Sequence, residues 1–341
     1  MNDKKITATQ PSLPPLNEFI PNLKKIWENK WLTNNGSMHV QLEFELSEYL
    51  GVKYLSLFSN GKLVLIAALH ALNLKGEVIT TPFSFVASTH SIWWNKLNPV
   101  FVDIEPEYLT LDPKRIAEAI TPLTSSILPV HVFGNICKID EIQKIADKYK
   151  LKVIYDAAHA FNVKKGGISV LNYGDLSILS FHATKVFSTI GGGAVICNSS
   201  EMKYRLDNIK NFGIISETEI FETGINAKLN EIQSAFGLLQ LKYIDGYFSR
   251  RKTITELYRR LLKGVRGIRL LPEMDEVTIN YTYFLVFVDE VIYGISRDAL
   301  YNRLKVNNIF TRRYFYPLIS IFTPYCGLPS AQPKNLSVAR K

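Results

Sequence analysis

Cysteine is scarce in this chain: Cys137, Cys197 and Cys326 are the only three among 341 residues, an odd count at wide spacing. That excludes a disulfide framework and a metal knuckle, and it fits a reducing, cytoplasmic setting. No uninterrupted apolar stretch of about 18 residues is present, so no membrane-spanning helix is expected. The opening Met1-Asn-Asp-Lys-Lys5 is polar and no apolar run follows it, so no secretory signal is visible. The six histidines form no metal-binding spacing. Sequence repeats and low-complexity segments are also missing. Basic residues exceed acidic ones by 40 to 31, a formal net charge of +9, but Lys24, Lys25, Lys53, Lys138 and Lys252 are dispersed. Without a basic block nucleic acid is not an expected partner, whereas a multiply phosphorylated substrate suits the mild positive charge.

What the chain does have is apolar material, 47% of its residues, enough to fill a large core. Residues 40–50 carry apolar positions at helical spacing, with Gly51 as a stop. The run 53–58, the turn Ser59-Asn-Gly61 and the stretch 63–72 read as strand, glycine turn and helix. Further strands are expected at 77–81, 99–103, 126–131, 151–156, 175–181 and 192–197. Helices are expected at 112–119, with Asp112 as cap and Pro113 at the permissive first position, and at 140–149. Near-continuous apolar strands separated by helices imply an α/β fold with a mostly parallel sheet covered on both faces. A long periodic helix from Leu229 to about Phe248 links residues 1–245, a large domain, to a smaller α+β domain at 246–341.

In an open parallel sheet the carboxyl ends of the strands converge on the ligand crevice. Asp156 closes one expected strand, and Ser180 and Lys185 lie at and just after another. Asp156 reads either as a helix N-cap or as the partner of a protonated heteroaromatic nitrogen, which preserves an electron sink. Lys185 is either solvated or turned into the cleft, where its amine forms a Schiff base and moves protons; the glycines at 191–193 let backbone approach such an adduct. Asn60-Gly61 is an ordinary turn or the phosphate-binding start of a helix, with Lys62 adding charge and Ser180 another donor. Phe85 is core, or covers a planar ring. His159 follows Asp156 by three positions and shares its face in a short helix; His131 and His182 also read as ordinary packed or hydrogen-bonded histidines.

Taken in order, Ser59-Asn-Gly61, Thr81-Pro-Phe-Ser-Phe85, Pro129-Val-His131, Asp156-Ala-Ala-His-Ala160, Ser180-Phe-His-Ala-Thr-Lys185 and Gly224-Ile-Asn-Ala-Lys-Leu-Asn-Glu-Ile-Gln233 resemble the DegT/DnrJ/EryC1/StrS nucleotide-sugar aminotransferases over about residues 7–330. The resemblance implies a fold-type I, aspartate-aminotransferase-like homodimer with shared active sites and pyridoxal 5′-phosphate as cofactor, passing through pyridoxamine 5′-phosphate. It implies that Lys185 carries the cofactor and transfers protons, Asp156 pairs with the pyridine nitrogen, and Phe85 stacks on the ring. Gly61, Lys62 and Ser180 match the phosphate cradle, Asn226 reaches the phosphate from the partner subunit, and His159 matches the position beside the phenolic oxygen. L-Glutamate is the implied donor and a dTDP-keto-sugar the acceptor. Relatives that perform dehydration replace the lysine, so Lys185 favours transamination.

Residues 9–16, 32–36 and 190–193 look closest to bacterial enzymes that aminate C4 of dTDP-4-keto-6-deoxyglucose for O-antigen biosynthesis. Amination at C3 of a dTDP-3-keto-6-deoxyhexose and a non-catalytic homodimer of the same fold stay open. Lys62 stands where the family commonly has threonine, and Gly191 where an acidic residue commonly anchors the loop of Lys185; amination with weakened cofactor or donor affinity is expected. Residues 335–340 resemble the lead-in to a terminal strand and helix, so a short small domain with reduced packing is expected.

Overall fold

The computed structural model describes residues 5–341; the polar opening at 1–4 lies outside them. Seven strands, β1 (Tyr54–Phe58), β2 (Glu77–Thr80), β3 (Asn98–Phe101), β4 (Thr124–Ile127), β5 (Lys152–Asp156), β6 (Leu176–Ser180) and β7 (Gly193–Cys197), form one sheet in the order β1-β7-β6-β5-β4-β2-β3. β7 is antiparallel to both of its neighbours and the other pairings are parallel. This is the fold-type I arrangement, a mostly parallel sheet in a large α/β domain.

Alternation along each strand builds two cores. Val153 and Tyr155 of β5, Leu179 of β6, and Ala194 and Ile196 of β7 point into one apolar cluster. Ile154, Ile178, Val195 and Cys197 point into the other. Both sides of each strand are therefore apolar, because helices cover both faces.

The helices are α1 (Leu16–Asn29), α2 (Ser37–Leu50), α3 (Gly61–Ala71), α4 (Ala87–Trp94), α5 (Pro113–Ala119), α6 (Ile139–Tyr149), α7 (Ser200–Ile209) and α8 (Glu231–Leu262), with short strands and helices after α8. Asp112 caps α5 by accepting the Lys114 N–H, and Gly51 ends α2 at φ 63°, as the sequence predicts.

Three expectations are corrected. The strand expected to reach residue 131 stops at Ile127; Pro129 has no N–H to donate, and only a single bridge, Val130 to Asp156, follows. The helix expected to end near Phe248 runs to Leu262, because Ile254, Leu257, Tyr258 and Leu261 continue its period and no glycine or proline intervenes before Gly264. Position 245 thus falls inside α8. His159 lies in a turn rather than a short helix, with Ala160 N–H donating to Ala157 O at 2.8 Å.

The last residues fold back onto the main sheet. Buried Asp103, just after β3, accepts the backbone N–H groups of Val338 at 2.8 Å and Ala339 at 2.9 Å. No helix among the described residues is long and apolar enough to cross a membrane.

Candidate active site

The strand ends meet at one edge of the sheet. Gly193, first residue of β7, pairs with Phe58 at the end of β1 and with Ser180 at the end of β6, while Asp156 ends the adjacent β5. The antiparallel β7 starts where the others finish, so the 181–192 loop carrying Lys185 hangs over the same edge.

Asp156 is buried, and its carboxylate is held on both oxygens. Oδ1 accepts the Ala158 N–H at 3.1 Å and Oδ2 accepts the Ser88 hydroxyl at 2.7 Å. It therefore caps its local turn and also faces the crevice. Burial pushes its proton affinity up, and the Ser88 hydroxyl, the Ala158 amide and the Lys185 charge offset this only in part. Burial likewise brings the Lys185 amine down to about 8, against the pull of Asp156. Each group senses the other's charge, but the described ion pairs include none between them.

The Lys185 loop rests on an aromatic base, with Phe187 stacked on Phe161 at 4.7 Å and edge-on to Phe181 at 4.9 Å. Its far end is tied through the Gly191 carbonyl, which accepts from the Thr189 hydroxyl at 2.9 Å and from Gln233 Nε2 of α8 at 2.5 Å. The missing acidic side chain at 191 therefore does not leave the loop unanchored. Gln233 does that work through the backbone, which a reading of side-chain types does not reveal.

At the β1–α3 turn, Asn60 caps α3 by accepting the Leu63 N–H at 3.0 Å. The amides of Gly61 and Lys62 precede the first intrahelical bond and donate to no protein acceptor among the described residues. A Cβ on Gly61 would lie 2.8 Å from Ser180 Oγ, and one on Gly193 would lie 3.2 Å from Gly61 Cα, so backbone packs against strand end with no space for side chains. The Lys62 ammonium is turned over the Trp94 ring, 5.2 Å from its centroid.

Phe85 is not core: it is 62% exposed, one turn before Ser88, whose N–H donates to the Phe85 carbonyl at 3.2 Å. His159 is buried, with Nδ1 accepting the Phe133 N–H at 3.0 Å. Asn226 is exposed, bridged to Asn211 beside the end of β1, and no described contact joins it to Asp156 or Lys185. His131 is a packed histidine, stacked on Tyr155 at 4.7 Å, and the exposed His182 bonds locally to Thr184. Ser88 carries no motif, being an ordinary helical serine, and Gln233, although it closes the Gly224–Gln233 motif, shows its anchoring role only through the backbone carbonyl it meets.

Comparison with known proteins places the chain in a family. The chain is 53% identical to the dTDP-4-amino-4,6-dideoxy-D-glucose transaminase of Escherichia coli, over 99% of this chain and 91% of that protein. It is 55% identical to the transaminase of the same name from Shigella dysenteriae, over 96% and 89%. The crystal structure of DesI in the presence of its TDP-sugar product superposes with a TM-score of 0.94 at 32% identity, covering 99% of this chain and 86% of that one. Residues 16–341 match the model of the DegT/DnrJ/EryC1/StrS aminotransferase family, and the chain belongs to that family.

Proposed function

We propose that the protein transfers the amino group of L-glutamate to C4 of dTDP-4-keto-6-deoxy-D-glucose, giving dTDP-4-amino-4,6-dideoxy-D-glucose and 2-oxoglutarate, with pyridoxal 5′-phosphate as cofactor. The observation that carries the chemistry is the buried Asp156 carboxylate at the end of β5, held by Ser88 and Ala158 at the strand edge over which the loop of Lys185 hangs. The choice of C4 rests on the identity of 53% and 55% to two relatives named for that product.

The residues fit the cofactor. Asp156 keeps a raised proton affinity despite two hydrogen bonds, so its carboxylate lacks a cationic donor, which a protonated ring nitrogen supplies. The amides of Gly61 and Lys62, at a helix start closed by Ser180, suit a phosphate. Phe85, exposed beside Ser88, is available to cover a flat ring. His159 stands beside the phenolic oxygen in this reading, and Lys62 adds positive charge near the phosphate.

Bound pyridoxal 5′-phosphate supplies a carbonyl carbon that carries the amino group between substrates and a ring that accepts electrons. The chain supplies the rest. Lys185 holds the cofactor through Nζ and moves a proton at that atom; with its pKa near 8, roughly a tenth of the amine is neutral at pH 7. In its charged form Asp156 would pair with the protonated ring nitrogen and preserve the positive charge there. The aromatic base of Phe161, Phe181 and Phe187 excludes water from beneath the loop.

The working form is a cytoplasmic homodimer with shared active sites, in which Asn226 serves the partner's phosphate. Supporting this, Trp94 is 70% exposed and Trp27 64% exposed, large apolar surfaces of the kind a subunit interface covers.

The test is product analysis. Purified protein with cofactor, glutamate and dTDP-4-keto-6-deoxyglucose is expected to give a sugar aminated at C4 by mass spectrometry and NMR. A folded, cofactor-loaded protein that aminates only a 3-keto sugar, or none, overturns the assignment.

A further inference from the structure

His159 is held more tightly than a residue that merely fills space requires. Its ring is flanked by Phe133 and Phe315, nearly parallel at 20° and 4°, and by Tyr283 at 4.6 Å. Its Nδ1 accepts the Phe133 amide at 3.0 Å. An amide N–H only donates, so Nδ1 bears a lone pair and no proton. Phe133 presents that amide from a left-handed backbone, φ 59°, a conformation that non-glycine residues adopt only where the surroundings over-determine it.

The backbone of the same turn is clipped separately. Asn280, 2% exposed, donates from Nδ2 to the carbonyls of His159 at 2.9 Å and Phe161 at 3.0 Å. Its own Oδ1 is fixed by the Thr282 N–H at 3.2 Å and hydroxyl at 2.8 Å, which settles the orientation of the amide. Asn280 follows the short strand Val277–Thr278, itself paired with Lys164–Lys165, so a segment beyond α8 staples the turn that leaves β5.

We infer that Asn280 is a positioning residue: together with the Phe133 amide it fixes the His159 ring with its proton on Nε2 and presents that N–H to the phenolic oxygen of the bound cofactor. The inference rests on the cofactor reading above. Nε2 has no acceptor among the described residues, so a ring that is otherwise buried leaves one open donor for a ligand oxygen. Burial and the nearby Lys185 charge keep the ring neutral, in agreement with a single ring proton. Asn280 touches no reacting atom; it acts through His159, as outer groups orient ligating histidines in other sites.

The experiment is long-range ¹H–¹⁵N NMR of cofactor-loaded protein carrying ¹⁵N-histidine, with the His159 signals identified by their loss in His159→Asn. The expected result is an unprotonated Nδ1 and a protonated Nε2 near neutral pH. Asn280→Asp keeps the shape but sets a carboxylate against two carbonyls; it is expected to mix the tautomers and shift the pH at which the cofactor absorbance changes. In turnover it should lower kcat about tenfold with KM for glutamate nearly unchanged. A proton on Nδ1 in the unmodified protein overturns the inference, as does an Asn280→Asp protein with unaltered His159 signals and unaltered absorbance titration. If that variant does not fold, the tautomer of the unmodified protein still decides. Neither spectroscopic readout needs substrate, so a correct tautomer in a protein that makes no 4-amino sugar upholds this inference while sinking the proposed reaction.

Discussion

The Ser88 hydroxyl, from the first turn of α4, donates to Asp156 Oδ2 at 2.7 Å, 68 residues away in sequence. This bond is one of the few interactions that favour the charged form of a carboxylate whose proton affinity burial raises. Ser88→Ala removes it and leaves the desolvation unopposed on that oxygen. A hydrogen bond to a charged group is worth about 1.5–3 kcal/mol, so turnover is expected to fall at least tenfold while the fold persists. Stopped-flow rates for the glutamate half-reaction, set beside circular dichroism, check this. An unchanged rate would show that Asp156 keeps its charge without Ser88.

Lys185→Ala is expected to leave a folded protein with no covalent cofactor absorbance. Loss of proton transfer alone accounts for roughly 10²–10⁴-fold in rate. Because the Lys185 amine sits at about 8, exogenous small amines of similar basicity should restore part of the lost rate. Turnover and absorbance both retained in the variant would remove Lys185 from the reaction.

The β1–α3 turn supports a paired test. Gly61→Ala places a Cβ 2.8 Å from Ser180 Oγ and 2.9 Å from Ser180 Cβ, so the turn must move off the strand end. Cofactor affinity is expected to drop tenfold or more. Adding Ser180→Gly removes both contacts but also a phosphate donor, so recovery should be partial. The cycle is read by equilibrium dialysis of cofactor at constant temperature. Strictly additive losses, with coupling below about 0.5 kcal/mol, would mean that the two positions do not share a cradle.

Much of this is legible in the sequence. Near-continuous apolar runs make the strands readable, and Asp112 with Pro113 and Gly51 mark helix limits through local chemistry that tertiary contacts do not override. Asp156, Ser180 and Lys185 were found because strand ends are where a parallel sheet gathers function. Other features were not visible. The course of α8 past Phe248 is hidden because the polar run Ser249-Arg-Arg-Lys-Thr253 interrupts the apolar period before Ile254, Leu257, Tyr258 and Leu261 resume it. The Gly191 anchor is a backbone carbonyl met by Gln233, and the staple on His159 comes from Asn280, 121 residues downstream. Backbone acceptors and distant amides leave no type-specific trace in a single sequence.

Acid stability should depend on Glu43 of α2. Its carboxylate meets Lys203 Nζ at 2.6 Å and lies 3.9 Å from Lys210 Nζ, which is 2% exposed and also pairs with Asp207 at 2.7 Å. Burial alone would raise its pKa, but the nearby His39 ring at 3.7 Å and the charges of Lys210 and Lys203 outweigh that and bring it down to about 2 from the ordinary 4.5. A carboxylate whose folded value lies below its unfolded one stabilises the protein fully above the unfolded value. That contribution fades as pH falls from 4.5 toward 2. Glu43→Gln is therefore expected to lower stability by roughly 3 kcal/mol at pH 7, while Lys210 keeps its pairing with Asp207. The gap between variant and unmodified protein should narrow steadily in urea titrations from pH 5 down to about pH 3. A gap that stays constant over that range would mean that the glutamate is not ionised more readily in the folded state, and that the network contributes packing rather than charge.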